Sequence, residues 1–151
     1  LFRALTLTAF SAAPCLAAAP AGAQMQPAGI GTEEQTLISM GSCVGSFSPQ
    51  GSNPNDGNSG AMKFTFTAGP ELRIHVAWQM GLKAYRNPGD SSLTFPEQGA
   101  GYGTQVNIKG NQLTFVGPTG TTYDLRISGQ GLSGTYLRRN YKFDFNDCQK
   151  R

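Results

Sequence analysis

The chain has 151 residues and a mass of 16.0 kDa, the size of one domain, which excludes a multidomain enzyme. Charged residues make up 14% of it and glycine contributes 20 residues, a composition typical of neither helical bundles nor charged disordered tails. The formal net charge of +3 is too small to indicate a nucleic-acid partner, so none is expected.

The first residues, 1–23, have the order of a secretory signal peptide. Arg3 is followed by an uncharged run rich in Leu, Ala, Thr and Phe, and small residues at 21–23 end the segment. Pro14 and Pro20 interrupt the run, which is shorter than the roughly 20 apolar residues that a membrane span needs. We therefore predict cleavage after residue 23, no stable membrane insertion, and a mature protein in the periplasm or secreted; a membrane anchor is the alternative.

Two cysteines, Cys43 and Cys148, remain after removal of residues 1–23, which leaves 128 of the 151 residues. An exported chain with an even number of cysteines folds in an oxidising compartment, where thiols close into disulfides. We therefore predict a Cys43–Cys148 disulfide. It would close a long loop and stabilise the fold by on the order of 4 kcal/mol.

Residues 24–31 are predicted to be a flexible lead-in, and residues 32–151 a single β-barrel domain that starts with a short helix at 33–39. After this helix, apolar and polar residues alternate with a period of two, which predicts strands with one buried face and one solvent-exposed face. The predicted strands are 42–48, 62–67, 72–79, 106–109, 113–115, 123–128, 132–138 and 141–146, with a further short strand at 91–95.

Turn residues join these strands into consecutive hairpins, so the sequence predicts an all-β fold, an antiparallel meander of about eight strands. Such a meander buries its edges either as a closed up-and-down barrel or as a two-sheet sandwich. Cys43 lies in the first predicted strand and Cys148 just past the last, and bonded cysteines have Cα atoms about 4.4 to 6.8 Å apart. The disulfide therefore favours a barrel, in which these strands are neighbours, with the sandwich as the alternative. The outline resembles lipocalin-like barrels in architecture alone.

Two glycine-rich motifs imitate cofactor or catalytic loops without the required context. Residues 129–134 match G-x-G-x-x-G, but a strand follows where a dinucleotide site needs a helix, so a hairpin is predicted and no cofactor. Residues 41–45 imitate a nucleophile elbow centred on Cys43, which would require a parallel sheet. The single histidine, His75, lies on the polar face of its strand next to Arg73, and no metal-ligand spacing is present. Neither an enzyme nor a metal site is expected.

The candidate ligand contacts lie around a long connection and in the last hairpin. Residues 80–103 form a long segment between strands, and such segments tend to carry function. Aromatic and cationic side chains of the kind that recognise ligands lie within it, beside it and at the predicted barrel rim: Trp78, Tyr85, Arg86, Tyr102, Tyr136 and Arg138. The alternative is that the aromatic residues of 80–103 only cover the core, and that Arg138 reaches solvent or pairs with Asp124 or Asp144.

Two functional hypotheses follow. The first is an exported, non-catalytic binding protein that holds a small, partly apolar ligand at a barrel mouth, with these six residues as contacts. The second is a protein-interaction module, such as an inhibitor of an extracellular or periplasmic hydrolase, that presents residues 80–103. The space inside the barrel decides between them, because a narrow barrel can be filled by its own side chains. The large residues predicted to point inward are Phe64, Phe66, Trp78, Phe115, Tyr123, Tyr141, Phe143 and Phe145.

Overall fold

The computed structural model describes residues 31–51, 53, 57–95, 99–129 and 131–150. The predicted signal peptide and all but the last residue of the predicted lead-in lie outside this described part. Helix α1 (Thr32–Met40) precedes the strands, and the short helix α2 (Leu82–Arg86) follows the third of them. The strands are β1 (Ser42–Pro49), β2 (Gly60–Thr67), β3 (Arg73–Met80), β4 (Ala100–Tyr102), β5 (Thr104–Lys109), β6 (Gln112–Val116), β7 (Thr122–Ser128), β8 (Gly131–Arg138) and β9 (Tyr141–Lys150).

All of these strands belong to one antiparallel sheet with the order β4-β3-β2-β1-β9-β8-β7-β6-β5. Strands that follow one another in the chain pair with each other, apart from β4 and β5, and β1 pairs with β9. The two ends of the sheet, β4 and β5, are separated only by Gly103, whose N–H donates to the Ile74 carbonyl at 2.7 Å. Since β4 pairs with β3 and β5 pairs with β6, the chain at Gly103 connects the two edge strands of the sheet. The predicted all-β meander is confirmed as a single sheet, and the barrel is closed unevenly at this bend.

Helix α1 closes the end of the barrel at which β1 begins. It buries Leu37 and Met40 in the core, and the Phe66 N–H donates to the Gly41 carbonyl at 2.8 Å, which joins the turn after the helix to the end of β2. The helix predicted at 33–39 is confirmed and is one residue longer at each end.

The segment between β3 and β5 differs from the prediction. Residues 91–95 form a turn followed by an irregular segment rather than the predicted strand, and local hydrogen bonds use two of their N–H groups: Ser92 donates to the Asp90 carboxylate at 2.8 Å, and Leu93 to the Asp90 carbonyl at 3.0 Å. The place beside β3 is taken by β4, in which Tyr102 lies opposite His75. The long connection therefore contains a helix and an edge strand that the sequence pattern did not indicate.

Aromatic side chains fill the barrel interior. Phe64 of β2 is fully buried. Its ring meets three others edge-on, at centroid distances between 5.1 and 6.1 Å: Phe115, Tyr123 and Phe145. Of the large residues predicted to point inward, Tyr141 is the exception, because it lies at the tip of the β8–β9 hairpin beyond the packed interior and is 70% exposed.

Cys43 of β1 and Cys148 of β9 form the predicted disulfide, with Cα atoms 5.1 Å apart. The prediction that Cys148 lies just past the last strand is wrong, since β9 continues to Lys150. An extra residue in β9 lies opposite Gly45, where the register between β1 and β9 shifts. Because of this bulge, Phe145 and Cys148 both face the core although they are three positions apart. The disulfide is thus fully buried at the junction of the first and last strands.

The G-x-G-x-x-G motif at 129–134 is a sheet hairpin, as its context predicted. Ser128 at the end of β7 pairs with Gly131 at the start of β8, so a strand and not a helix follows the turn. Gly134 has a φ of 154°, and a Cβ there would lie 2.3 Å from the Asp124 carbonyl oxygen of the neighbouring strand. Gly131 and Gly134 therefore allow close packing against neighbouring strands, and Gly129 has a positive φ of 54°.

Candidate functional site

A small pocket opens at the end of the barrel opposite α1, where β1, β3 and β8 end and where β2, β7 and β9 begin. Its cavity volume is about 60 Å³. Pockets that enclose drug-sized ligands measure roughly 300 to 1,000 Å³. The enclosed part of this mouth therefore accommodates one small chemical group, and a larger ligand would extend over the rim. The side chains that define the mouth include Phe47, Trp78, Tyr123, Tyr136, Arg138 and Phe143.

Three neighbouring strands supply one aromatic wall of the mouth. Tyr123 of β7 lies opposite Tyr136 of β8, which lies opposite Phe143 of β9. Tyr136 and Phe143 stack with parallel rings whose centroids are 4.7 Å apart, and Phe47 meets Tyr136 edge-on at 5.8 Å. Residues directly opposite each other share one face of a sheet, so the period of two places all of these rings on the inner face. Trp78, the single tryptophan of the chain, is half-buried at the end of β3.

Tyr123 and Tyr136 bring two phenol hydroxyls into this small space. Burial raises the pKa of both hydroxyls far above their ordinary range, and the nearby Arg138 guanidinium partly opposes the rise. Both groups are therefore protonated hydrogen-bond donors at neutral pH. Within the described part of the chain, neither hydroxyl is hydrogen-bonded to a protein group. Both side chains line the pocket, and neither hydroxyl oxygen is among the fully buried, unpartnered polar atoms of the described residues.

Arg138 supplies the positive charge of the mouth. It lies at the end of β8, two residues after Tyr136 and on the same face. The predicted alternative of an ion pair is not found: Asp144 accepts a hydrogen bond from Gln50 Nε2 at 2.6 Å, and Asp124 accepts one from Gln112 Nε2 at 2.8 Å. Among the described carboxylates, none forms an ion pair with Arg138. The guanidinium is therefore exposed at the rim and available to a bound molecule.

Comparison with known proteins assigns no family. No family model, curated protein or solved structure matches this chain. In the described residues, no group of three or more His, Cys, Asp or Glu side chains is placed to hold a metal ion. Neither α1 nor α2 is long and apolar enough to cross a bilayer. The functional conclusion therefore rests on the geometry and chemistry of the mouth.

The structure brings together three of the six predicted contact residues: Trp78, Tyr136 and Arg138. The other three lie away from the mouth. Tyr85 and Arg86 belong to α2, which packs against β1 and β2. Tyr102 lies on the outer surface of β4, 55% exposed, and the Arg73 guanidinium is 4.6 Å from its ring centroid. Half of the predicted contact residues thus line the mouth, and the other half lie outside it.

Three aromatic residues of the mouth were not predicted as contacts: Phe47, Tyr123 and Phe143. Alternation correctly placed Tyr123 and Phe143 on the inner face, but it carries no information about height along the barrel axis. The available signal was distance from a turn, because a residue near the end of a strand lies near a barrel rim. Tyr123 is the second residue of β7 and Phe143 the third residue of β9, so both satisfy this criterion.

An alkaline titration of tyrosine absorbance tests the burial of the two mouth hydroxyls. Of the five tyrosines in the chain, Tyr123 and Tyr136 are expected to ionise last, because burial disfavours the charged phenolate. Their folded-state pKa values are raised, so the stability that they contribute is complete at neutral pH and is lost as the pH rises above about 10. The double variant Tyr123→Phe/Tyr136→Phe should lose the late phase, whereas Tyr141→Phe should keep it. A single phase for all tyrosines would contradict the burial.

Proposed function

We propose that this chain is an exported, non-catalytic binding protein that holds a small, partly apolar ligand at the open mouth of its barrel. The observation that carries the proposal is the coincidence, in one small pocket, of aromatic walls, two unpartnered tyrosine hydroxyls and one cation. Binding pockets typically combine a mostly apolar lining with a few polar groups that fix the orientation of the ligand. In this mouth, the rings would supply the buried contact area and the hydroxyls would orient the ligand.

The packed interior limits how such a ligand is held. Because Phe64 and its neighbouring rings fill the barrel and the enclosed volume is about 60 Å³, the ligand stays at the rim rather than entering the barrel. One small group would lie beside Tyr123 and Tyr136. The remainder would rest against Trp78 and Met80, of which Met80 is 43% exposed.

Export to the periplasm or the cell exterior is part of the proposal. Residues 1–23 have the composition and order of a cleaved signal peptide. The Cys43–Cys148 disulfide agrees with this location, because structural disulfides persist in oxidising compartments and are rare in the cytosol. Both observations support an exported protein, and neither depends on the nature of the ligand.

The protein-interaction module remains a second candidate, with a hydrolase of the same compartment as its target. It is favoured by the limited cavity and by exposed apolar side chains in and beside residues 80–103: Met80, Leu82 and Tyr102, which are 41 to 55% exposed. These side chains lie on different surfaces, since Met80 lines the mouth while Tyr102 lies on the outer wall of β4. A single partner would have to cover both surfaces, which makes the mouth the better-supported site.

A fragment screen by heteronuclear NMR separates the two candidates. Because Trp78 is the single tryptophan, its indole N–H is a unique reporter at the mouth. Small, partly apolar fragments are expected to shift this signal and the amide signals of 119–123 and 136–138, while those of α2 stay unchanged. Tyr136→Phe should weaken binding by about two- to tenfold, the equivalent of one hydrogen bond.

The matched control is Tyr141→Phe, which removes a hydroxyl from an exposed position on the adjoining hairpin. This variant should bind the same fragments as the unmodified protein. Fragment hits that cluster on α2 and residues 87–95, or a screen without hits, would contradict the mouth as the binding site.

A further inference from the structure

Among the described residues that line the mouth, Arg138 is the one that carries a formal charge at neutral pH. The next residues of the same hairpin add Arg139 and Lys142 and no acidic residue before Asp144. The Asp144 carboxylate accepts a hydrogen bond from Gln50 rather than facing Arg138. Among the described residues of this hairpin near the mouth, cationic side chains therefore outnumber acidic ones, and no described carboxylate forms an ion pair with the guanidinium.

The uncharged polar groups beside Arg138 favour the same kind of ligand atom. Tyr123 and Tyr136 are protonated at neutral pH, and neither hydroxyl donates to a described protein group. A guanidinium and two O–H groups are all hydrogen-bond donors, so the ligand atoms that satisfy them are acceptors. A negatively charged oxygen meets this requirement best, because hydrogen bonds to an ionised acceptor are stronger than those to a neutral one. An ammonium group would be repelled by Arg138 and would leave the hydroxyls without acceptors.

The pocket also limits the size and charge of the acidic group. The enclosed volume of about 60 Å³ suits a group as small as a carboxylate. A single guanidinium balances one negative charge and offers the planar pair of N–H groups that fits a carboxylate. A doubly charged phosphate would have one of its charges without a partner inside the mouth. The aromatic walls then receive the apolar part of the same molecule.

We propose that the ligand of the mouth is a small apolar carboxylate, with its acidic group bound by Arg138 and the hydroxyls of Tyr123 and Tyr136, and its apolar body against Trp78. This inference rests on the proposed binding function and specifies the chemical class of its ligand. Arg138 then determines specificity, because it distinguishes the acid from its neutral and cationic counterparts. The apolar contacts contribute affinity to all three alike.

Three probes of similar size and different charge test the inference: benzoate, benzamide and benzylamine. Binding is followed by the Trp78 indole signal of the full chain. Benzoate should bind about five- to tenfold more tightly than benzamide, a value that allows for the solvent exposure of Arg138, and benzylamine should bind most weakly. In Arg138→Gln, the affinity for benzoate should fall to that for benzamide, while the affinity for benzamide stays within about twofold.

Lys142→Gln provides the matched control. It removes one positive charge from the same hairpin, but Lys142 lies opposite Leu137 on the other face of the strand pair. This variant should keep the preference for benzoate, which shows that a local contact and not the overall charge selects the acid. If benzoate and benzamide bind equally, or if the preference for benzoate survives in Arg138→Gln, the proposed ligand class is wrong. The mouth would still be a binding site. If none of the three probes binds, both the site and its ligand class are wrong.

Discussion

Reduction of the Cys43–Cys148 disulfide is expected to lower the free energy of unfolding by about 4 kcal/mol. The two cysteines are 105 residues apart in the sequence, so the bond restricts most of the described chain in the unfolded state. In the folded barrel it joins β1 to β9, the pair that brings the first strand against the last. Urea denaturation with and without a reductant measures the effect, through the free energy of unfolding extrapolated to zero urea, since the reduced chain exposes more surface on unfolding and its slope is expected to rise.

The double variant Cys43→Ala/Cys148→Ala is the control for this measurement. Its midpoint should match that of the reduced protein and should not respond to the reductant. The unmodified protein in the absence of reductant should show neither of these thiols by chemical titration before or after unfolding. Equal midpoints with and without reductant, in a protein whose bond is shown to be broken, would mean that the strand pairing alone holds the junction of β1 and β9.

Most of the fold could be predicted because strands and turns leave their patterns in neighbouring residues of the sequence. Alternation of large apolar and polar residues in β2 and β7 reflects the sheet period directly, and turn residues mark where each of these strands ends. The pairing of β1 with β9 joins the two ends of the chain and is invisible to local patterns, yet it was predicted because the disulfide requires it. The bulge in β9 was not predictable, since it depends on how that strand meets Gly45 across the sheet.

The candidate site was predicted only in part. Its residues come from the ends of several strands, and local sequence patterns do not show which strand ends lie together in the fold. Trp78, Tyr136 and Arg138 lie on or next to regular strands, and parity placed them on the inner face. Tyr85 and Arg86 lie in a connection whose course is set by packing of α2 outside the sheet, which no periodicity reports. Tyr102 was assigned to the long connection between strands although it belongs to β4, a strand too short to show alternation.

Replacement of Phe64 by alanine is expected to destabilise the protein by about 3 to 5 kcal/mol, the range for removal of a fully buried aromatic ring. Phe64 is 0% exposed and meets three rings edge-on and Phe66 in a stacked arrangement at 6.4 Å. The sheet around it cannot collapse into the space, because hydrogen bonds on both sides hold β2 between β1 and β3. Chemical denaturation of the variant beside the unmodified protein measures the loss.

Two further variants separate the packing of Phe64 from a general effect of losing an aromatic ring. Tyr141→Ala removes a ring that is 70% exposed and should change the stability by less than about 0.5 kcal/mol. Phe64→Leu retains part of the volume and should cost less than the alanine variant. If Phe64→Ala costs no more than Tyr141→Ala, the interior is not packed around Phe64. The ligand would then have room inside the barrel, and the restriction of binding to the mouth would no longer hold.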